Sequence, residues 1–401
     1  MGESVRPLQV AVLSHRGGNV GHDLMALGAE EIIRNAFGTR DYELTHLEQH
    51  RPFVVYPKMS PVRWADSVEI LSARMRRRFL SNTIGERWPA RPVGHVRTTL
   101  SSPRAAPILW RLNRRRFDLG FSCGGPLIVS GAAEQPNLRL ILHHMPGALT
   151  STETPVLSAA IGAAYPLERV PEHLDGRDSW FLDQAFKCAT VTTVRDALAL
   201  RLSRSLGHDP PLVPCTALAA GVAFERVAPH DPQYVLVNYQ LHGANEDWGQ
   251  DVDIVAWRRT VRDLIDRLSG RHRVAMLAHD CRERELAREL APELRLFAPT
   301  TAADYARVAL VTKGAVVNRI HAALPLASEG APSVAVGTDS RLGAVEAVGL
   351  PTMFVKNATA DSLEHEIEAL LSRGAEERER LVTLRTETID RYATIVHDLA
   401  V

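Results

Sequence analysis

Short apolar runs alternate along this chain with longer stretches in which apolar positions recur at helical spacing, the pattern of strands joined by helices. Leu8 to Leu13 is such a run; it enters the glycine-rich loop Ser14-His-Arg-Gly-Gly-Asn-Val-Gly-His-Asp23, and helical spacing follows from Leu24 to Phe37. Phe117 to Ile128 reads as a strand ending in a Gly-Gly turn, and Leu138 to Leu142 as another, followed directly by His143 and His144. Thr190 to Val194 is β-branched and leads through Arg195-Asp196 into a helix over Ala197 to Leu206 that stops at Gly207. In the second half, Tyr234 to Tyr239 and Arg273 to Leu277 predict strands, Val255 to Leu268 an amphipathic helix, and Ala278-His279-Asp280 a strand-end loop. Ala315 to Val317 stops at Asn318, an Ala/Leu-rich helix ends near Gly330 and Pro332, and Ser333 to Val336 is a further strand. Two charged helical segments, Glu364 to Leu371 and Glu376 to Leu399, are expected to close the second domain.

Strands and helices alternating in both halves predict two doubly wound, Rossmann-like α/β domains facing a cleft. Prolines between 210 and 232 place the boundary near 225–233, giving an N-terminal domain over 1–228 and a C-terminal domain over 229–401. The length of 401 residues, with 45% hydrophobic and 23% charged, suffices for two cores.

Charge adds one feature. The 47 basic and 47 acidic residues balance, which argues against general nucleic-acid affinity, yet an arginine-rich insertion near 51–116 holds Arg74, Arg76, Arg77, Arg78, Arg111, Arg114, Arg115 and Arg116 against only Asp66, Glu69 and Glu86. Such a run is either a solvated face or a patch for an anionic acceptor or membrane surface. The first apolar run is too short for a signal-peptide core, and no stretch approaches the roughly 20 apolar residues of a membrane span, so a cytoplasmic protein is expected. Cys123, Cys188, Cys215 and Cys281 are scattered and are expected to be small buried residues. His143-His144 has no accompanying ligand spacing, and no metal site is expected.

Candidate chemistry gathers where strands give way to helices. Asn318 is a plausible N-cap, which would set Arg319 and His321 in a helix's first turn, where unpaired amides and the dipole favour an anion. The first loop, Gly124-Gly125 and Arg195 occupy equivalent positions at other strand ends, where open α/β sheets bind ligands.

Arg319-Ile-His321-Ala322, Gly330-Ala-Pro332 and the acidic Asp339 together resemble the polysaccharide pyruvyl transferase family. The weaker matches Asn19-Val-Gly21, Gly124-Gly125 and Arg195-Asp196 follow in the family's order, so the resemblance covers most of the chain. It implies a GT-B-like architecture and ketal-forming transfer of a pyruvyl group from phosphoenolpyruvate to a pair of sugar hydroxyls, with no cofactor. Donor contacts would come from Arg319, Arg195, Asn19, Gly21, Gly124, Gly125, Asp339, Arg341 and His279. The reaction requires a general acid, for which His321 is the candidate, and a general base, Asp23 or His22. Arg76, Arg77 and Arg78 would engage the acceptor, a sugar or glycoconjugate that is phosphorylated or lipid-linked. Two departures stand out: His22 replaces the first-loop acid, and Ser340-Arg341 stands where the family has a lysine. They keep two alternatives open: a nucleotide-sugar glycosyltransferase, with Asp339 or Glu346 on the ribose or uracil, and a non-catalytic anion-binding homologue.

Overall fold

The computed structural model describes residues 6–14, 20–48, 115–228, 230–244 and 248–400. Asn19, Arg76, Arg77, Arg78 and nearly all of the arginine-rich insertion lie outside these. Arg115 lies inside them, with its guanidinium 5.5 Å from the Phe117 ring centroid.

In the first half the apolar runs form parallel strands covered on both faces, as all-parallel sheets require. The elements are β1 (Leu8–Ser14), α1 (Val20–Phe37), β2 (Tyr42–Glu48), β3 (Leu119–Ser122), β4 (Gly125–Ile128), β5 (Val156–Ala163), α2 (Gly176–Cys188), β6 (Val191–Val194) and α3 (Ala197–Arg204). The sheet runs β2-β1-β3-β5-β4, with β6 also paired to β5. Phe117 to Ile128 is thus two strands along one edge of β5 in one register, Gly120 opposite Val156 and Gly125 opposite Ile161, interrupted where β5 is itself irregular at Ala160 (φ +53); there Gly124 approaches so closely that a Cβ would stand 2.1 Å from the Ala159 carbonyl oxygen. Leu138 to Leu142, expected as a strand, is helical: residues 136–150 form a helix with a π turn at Leu140–His144, and fully buried β5 is the strand of this region. A short apolar run has too little periodicity to separate buried helix from buried strand.

The second half comprises β7 (Tyr234–Asn238), α4 (Ile254–Ser269), β8 (Arg273–Leu277), α5 (Cys281–Leu290), β9 (Arg295–Phe297), α6 (Ala302–Leu310), β10 (Thr312–Val317), α7 (Ile320–Ser328), β11 (Ser333–Gly337), β12 (Thr352–Phe354), α8 (Ala360–Ser372) and α9 (Gly374–Ala400). Its sheet, again parallel, runs β12-β11-β10-β7-β8-β9. Helices start where the sequence offers caps: Asp253, Asp280, Thr301 and Thr359 each accept first-turn amides.

The halves share one core, in which Leu24 and Ile32 of α1 join Leu324 and Leu326 of α7 and Tyr392 of α9. Helix α9 does not simply close the second domain. It crosses to the first, where Tyr392 Oη donates to the Pro214 carbonyl at 3.0 Å and Arg391 Nη2 to that of Leu212 at 2.8 Å. A backbone latch ties the halves beside the cleft: Leu167 N donates to Thr338 O at 3.0 Å and Ser340 N to Tyr165 O at 2.8 Å. Cys123 and Cys215 are buried as expected, but Cys188 and Cys281 are only partly so, and none of the four is in a disulfide. No helix of the described residues is long and apolar enough to cross a membrane.

Candidate functional site

The C-terminal ends of β7, β10 and β11 and the start of β4 meet the start of α1 around a cavity of about 250 Å³, lined by His22, Pro126, Arg319, His321, Asp339 and Arg341 among others. Asn318 directly follows β10 but does not cap α7. Its Oδ1 accepts from Gln240 N at 2.9 Å and its Nδ2 donates to the Val336 carbonyl at 3.0 Å, stitching three strand ends together. The N-cap is Arg319, in extended conformation, and its side chain makes no cap hydrogen bond. The opening turn of α7 is therefore left to be satisfied from the cavity side.

Arg319 is held rather than free. Its Nε donates to Glu283 and its Nη2 to Asp280. Glu283 is the hub of this corner, accepting also from Asn238 Nδ2 at 2.9 Å, Gln240 Nε2 at 2.8 Å, His279 N at 2.8 Å and His279 Nδ1 at 3.2 Å. Burial would raise its pKa, but the Arg319 charge and the His279 hydrogen bonds outweigh burial and hold it at about 2. Arg341 grips Asp339 in two bonds, Nε to Oδ1 at 2.7 Å and Nη2 to Oδ2 at 2.6 Å, and Trp248 Nε1 adds a third donor at 3.1 Å. Burial again opposes ionisation of Asp339, and Arg341 with Trp248 brings its pKa below the ordinary range.

His321 stands one residue beyond the first helical position of α7 with its ring 5.9 Å from that of His22, edge to face. Among the described residues its Nε2 has no hydrogen-bond partner. Burial, then the charges of His22, Arg195, Arg341 and Arg319, push its pKa well below the usual 6.5. The resting form at neutral pH is therefore the uncharged imidazole, not the imidazolium expected of a poised proton donor. It can accept a proton, or donate a hydrogen bond through one nitrogen, and an anion bound beside it would raise its proton affinity.

The other expected residues lie around the cavity or behind its wall. Gly21 touches His321 directly: a Cβ there would lie 2.5 Å from the His321 Cβ. Asp23 is buried within α1, so of the two candidate bases His22 is the one in the cavity wall. Arg195 is fully buried against Gly162, with Nη1 3.7 Å from Cys215 Sγ and with Nε and Nη2 unpartnered among the described residues. It acts on the cavity through its field, while Asp196 caps α3 by accepting from Ala199 N at 2.7 Å. His279 is buried behind Glu283, Gly124 packs on β5, and Gly125 opens β4 beside Pro126 of the cavity wall.

No protein-family model matches the sequence, and no curated protein matches it. Solved structures do. The UDP-GlcNAc 2-epimerase from Neisseria meningitidis, bound to UDP-GlcNAc, matches over 98% of this chain and 99% of its own, at 11% identity and a TM-score of 0.55. That from Methanocaldococcus jannaschii matches over 94% of this chain and 99% of its own, at 11% identity and a TM-score of 0.52. The fold is GT-B-like. At such identities the likeness is one of fold, and function must be argued from the site.

Glu283, Asp280, Gln240 and Trp248 were not legible in the sequence as site residues. Asp280-x-x-Glu283 is a visible helix-start signature, but Glu283 reaches the His279 amide and Arg319, which only the meeting of β8 with β10 brings near. Asp251-Val252-Asp253 resembles a metal-binding pattern, yet Asp251 lies in irregular backbone at φ +51 and Asp253 caps α4. Among the described residues no group of three or more His, Cys, Asp or Glu side chains is placed to hold a metal.

Proposed function

We propose that the chain is an enzyme of glycan or glycoconjugate biosynthesis that binds a phosphorylated donor in the cleft, its anionic group at the opening turn of α7. The observation that carries this is His321: an uncharged imidazole at an uncapped helix start, beneath the fields of three guanidinium groups, with Nε2 unpartnered among the described residues. A donor anion placed there would draw a proton onto His321, and His22 lies across the cavity to handle a second.

A nucleotide-activated sugar is the donor that the GT-B-like fold favours, since both epimerases similar to this chain act on UDP-GlcNAc by name. Phosphoenolpyruvate is a second reading, favoured by the small cavity, about 250 Å³, and by Arg319-Ile-His321-Ala322 in its wall. Calorimetric titration with UDP-GlcNAc, UDP and phosphoenolpyruvate decides between them. Binding of one donor by the wild type, lost in His321→Ala, is the expected result. Binding of none, or binding unchanged in His321→Ala, would overturn the site.

A further inference from the structure

A second cavity, of about 500 Å³, opens at the other end of the C-terminal sheet, between edge strand β9 and helix α6, with Tyr234, Arg295, Phe297, Pro299, Asp304 and Arg307 in its wall. Tyr234 begins β7, whose far end, Asn238, reaches the Glu283 corner of the cleft. The two cavities are therefore separated by the length of a strand, on the order of 15 Å. Arg273 Nη2 and Arg295 Nη1 both donate to Tyr234 Oη, at 3.1 and 3.2 Å, although they come from different strands. Both guanidinium groups also lie close to aromatic rings: Arg273 is 4.8 Å from the Tyr234 centroid, and Arg295 is 5.6 Å from that centroid and 4.7 Å from that of Phe297.

Two guanidinium groups thus converge on one oxygen, and among the described residues neither has a carboxylate partner. Arg273 spends its other bond on Gln233 Oε1 at 2.9 Å, and the acid in the wall, Asp304, is taken by Arg307 at 3.1 Å. Like charges brought together without a counter-ion repel, and the repulsion is relieved by an anion that both forks can grip. The cavity has room beyond the anion, and that room is bounded by Phe297 and Pro299.

We propose that this cavity binds a phosphate monoester, its phosphate on Arg295 of the wall and on Arg273, which meets Arg295 at the Oη of the wall residue Tyr234, and its planar or apolar part along Phe297 and Pro299. The site is distinct from the cleft and does not depend on the reaction proposed there. Phenyl phosphate and inorganic phosphate are suitable probes, titrated calorimetrically into the full chain. Phenyl phosphate should bind, and more tightly than inorganic phosphate. Its affinity should fall at least tenfold in Arg273→Gln/Arg295→Gln and stay unchanged in the cleft variant His321→Ala. Arg295→Gln alone, at an exposed edge position, covers the case in which the double variant does not fold, and should weaken binding several-fold. Arg295→Lys, which keeps the charge but not the fork, should fall between wild type and Arg295→Gln. Absence of phenyl phosphate binding, retention of full affinity in the arginine variants, or loss in His321→Ala instead would each overturn the proposal.

Discussion

Gly21 and His321 meet across the cleft so closely that a methyl group on residue 21 would stand 2.5 Å from the His321 Cβ and 2.8 Å from its Cγ. One comes from the first turn of α1 and the other from the first turn of α7, so this contact sets how near the two helix starts approach.

Gly21→Ala should therefore displace the imidazole or part the two halves. In an unconstrained helix the change would stabilise by roughly 0.5–1 kcal/mol; here overpacking should make it destabilising by about 1–3 kcal/mol. Donor affinity should drop at least tenfold alongside. Urea denaturation and calorimetry measure the two effects, and a more stable Gly21→Ala protein would show that the contact yields easily.

Arg319→Ala should weaken the fold as well as donor binding. Removing the guanidinium leaves buried Glu283 and half-buried Asp280 without their cation, and breaking a buried ion pair from one side typically costs about 3–5 kcal/mol. Glu283→Gln should be milder, because the amide still accepts from Asn238 or Gln240. Chemical denaturation of both variants gives the order, and equal stability of Arg319→Ala and wild type would refute it.

Acid should act through Glu283. Its pKa in the folded protein, about 2, lies below the ordinary 4.5, so its contribution is present above about pH 4.5 and is lost as pH falls towards 2. Between pH 5 and 2 the wild type should lose more stability than Glu283→Gln. Denaturation midpoints across that range test it, and parallel curves would contradict it.

Alkali should act through Glu329, at the C-terminal end of α7. Burial pushes its pKa up to about 8, with Arg385 and Arg378 of α9 opposing and Glu225 reinforcing; Arg385 Nη1 stays 3.9 Å from Oε1 because it bonds the Ser328 carbonyl at 2.7 Å. An acid whose pKa is raised on folding favours the folded state below its unfolded pKa, and that advantage drains away as pH rises from about 4.5 to 8, at about 1.4 kcal/mol for each pH step of one. Glu329→Gln should be indistinguishable from wild type at pH 4 and more stable by a few kcal/mol at pH 9. Thermal unfolding at the two pH values is sufficient, and equal stability at pH 9 would remove Glu329 as the titrating group.

His321 should stay uncharged through the neutral range. By NMR, its ring protons in the unliganded protein should not shift between pH 6 and 8, and donor binding should be accompanied by proton uptake, visible as a dependence of binding enthalpy on the buffer's ionisation enthalpy. A titration midpoint near 6.5 would mean that burial and the surrounding positive charges do not control this residue.

The amino-acid sequence alone showed the alternation of strand and helix, the parallel two-domain class and, to within a residue, the starts of α3 and α4. These depend on local rules: apolar runs at strand spacing, and Asp or Thr accepting the first amides, as at Asp196, Asp253 and Asp280. It also singled out Arg319 and His321, because charged residues directly after an apolar strand are seldom there for the core. The rest was decided by non-local contacts. Leu138 to Leu142 became helical because β5 took the sheet position beside β3, which no spacing within five residues can reveal. Asn318 lost its capping role to Arg319 because the ends of β7 and β11 came within reach of its amide. Glu283 became the partner of Arg319, and α9 crossed to the first domain, through contacts between residues far apart in sequence, which exist only once both sheets have formed and met.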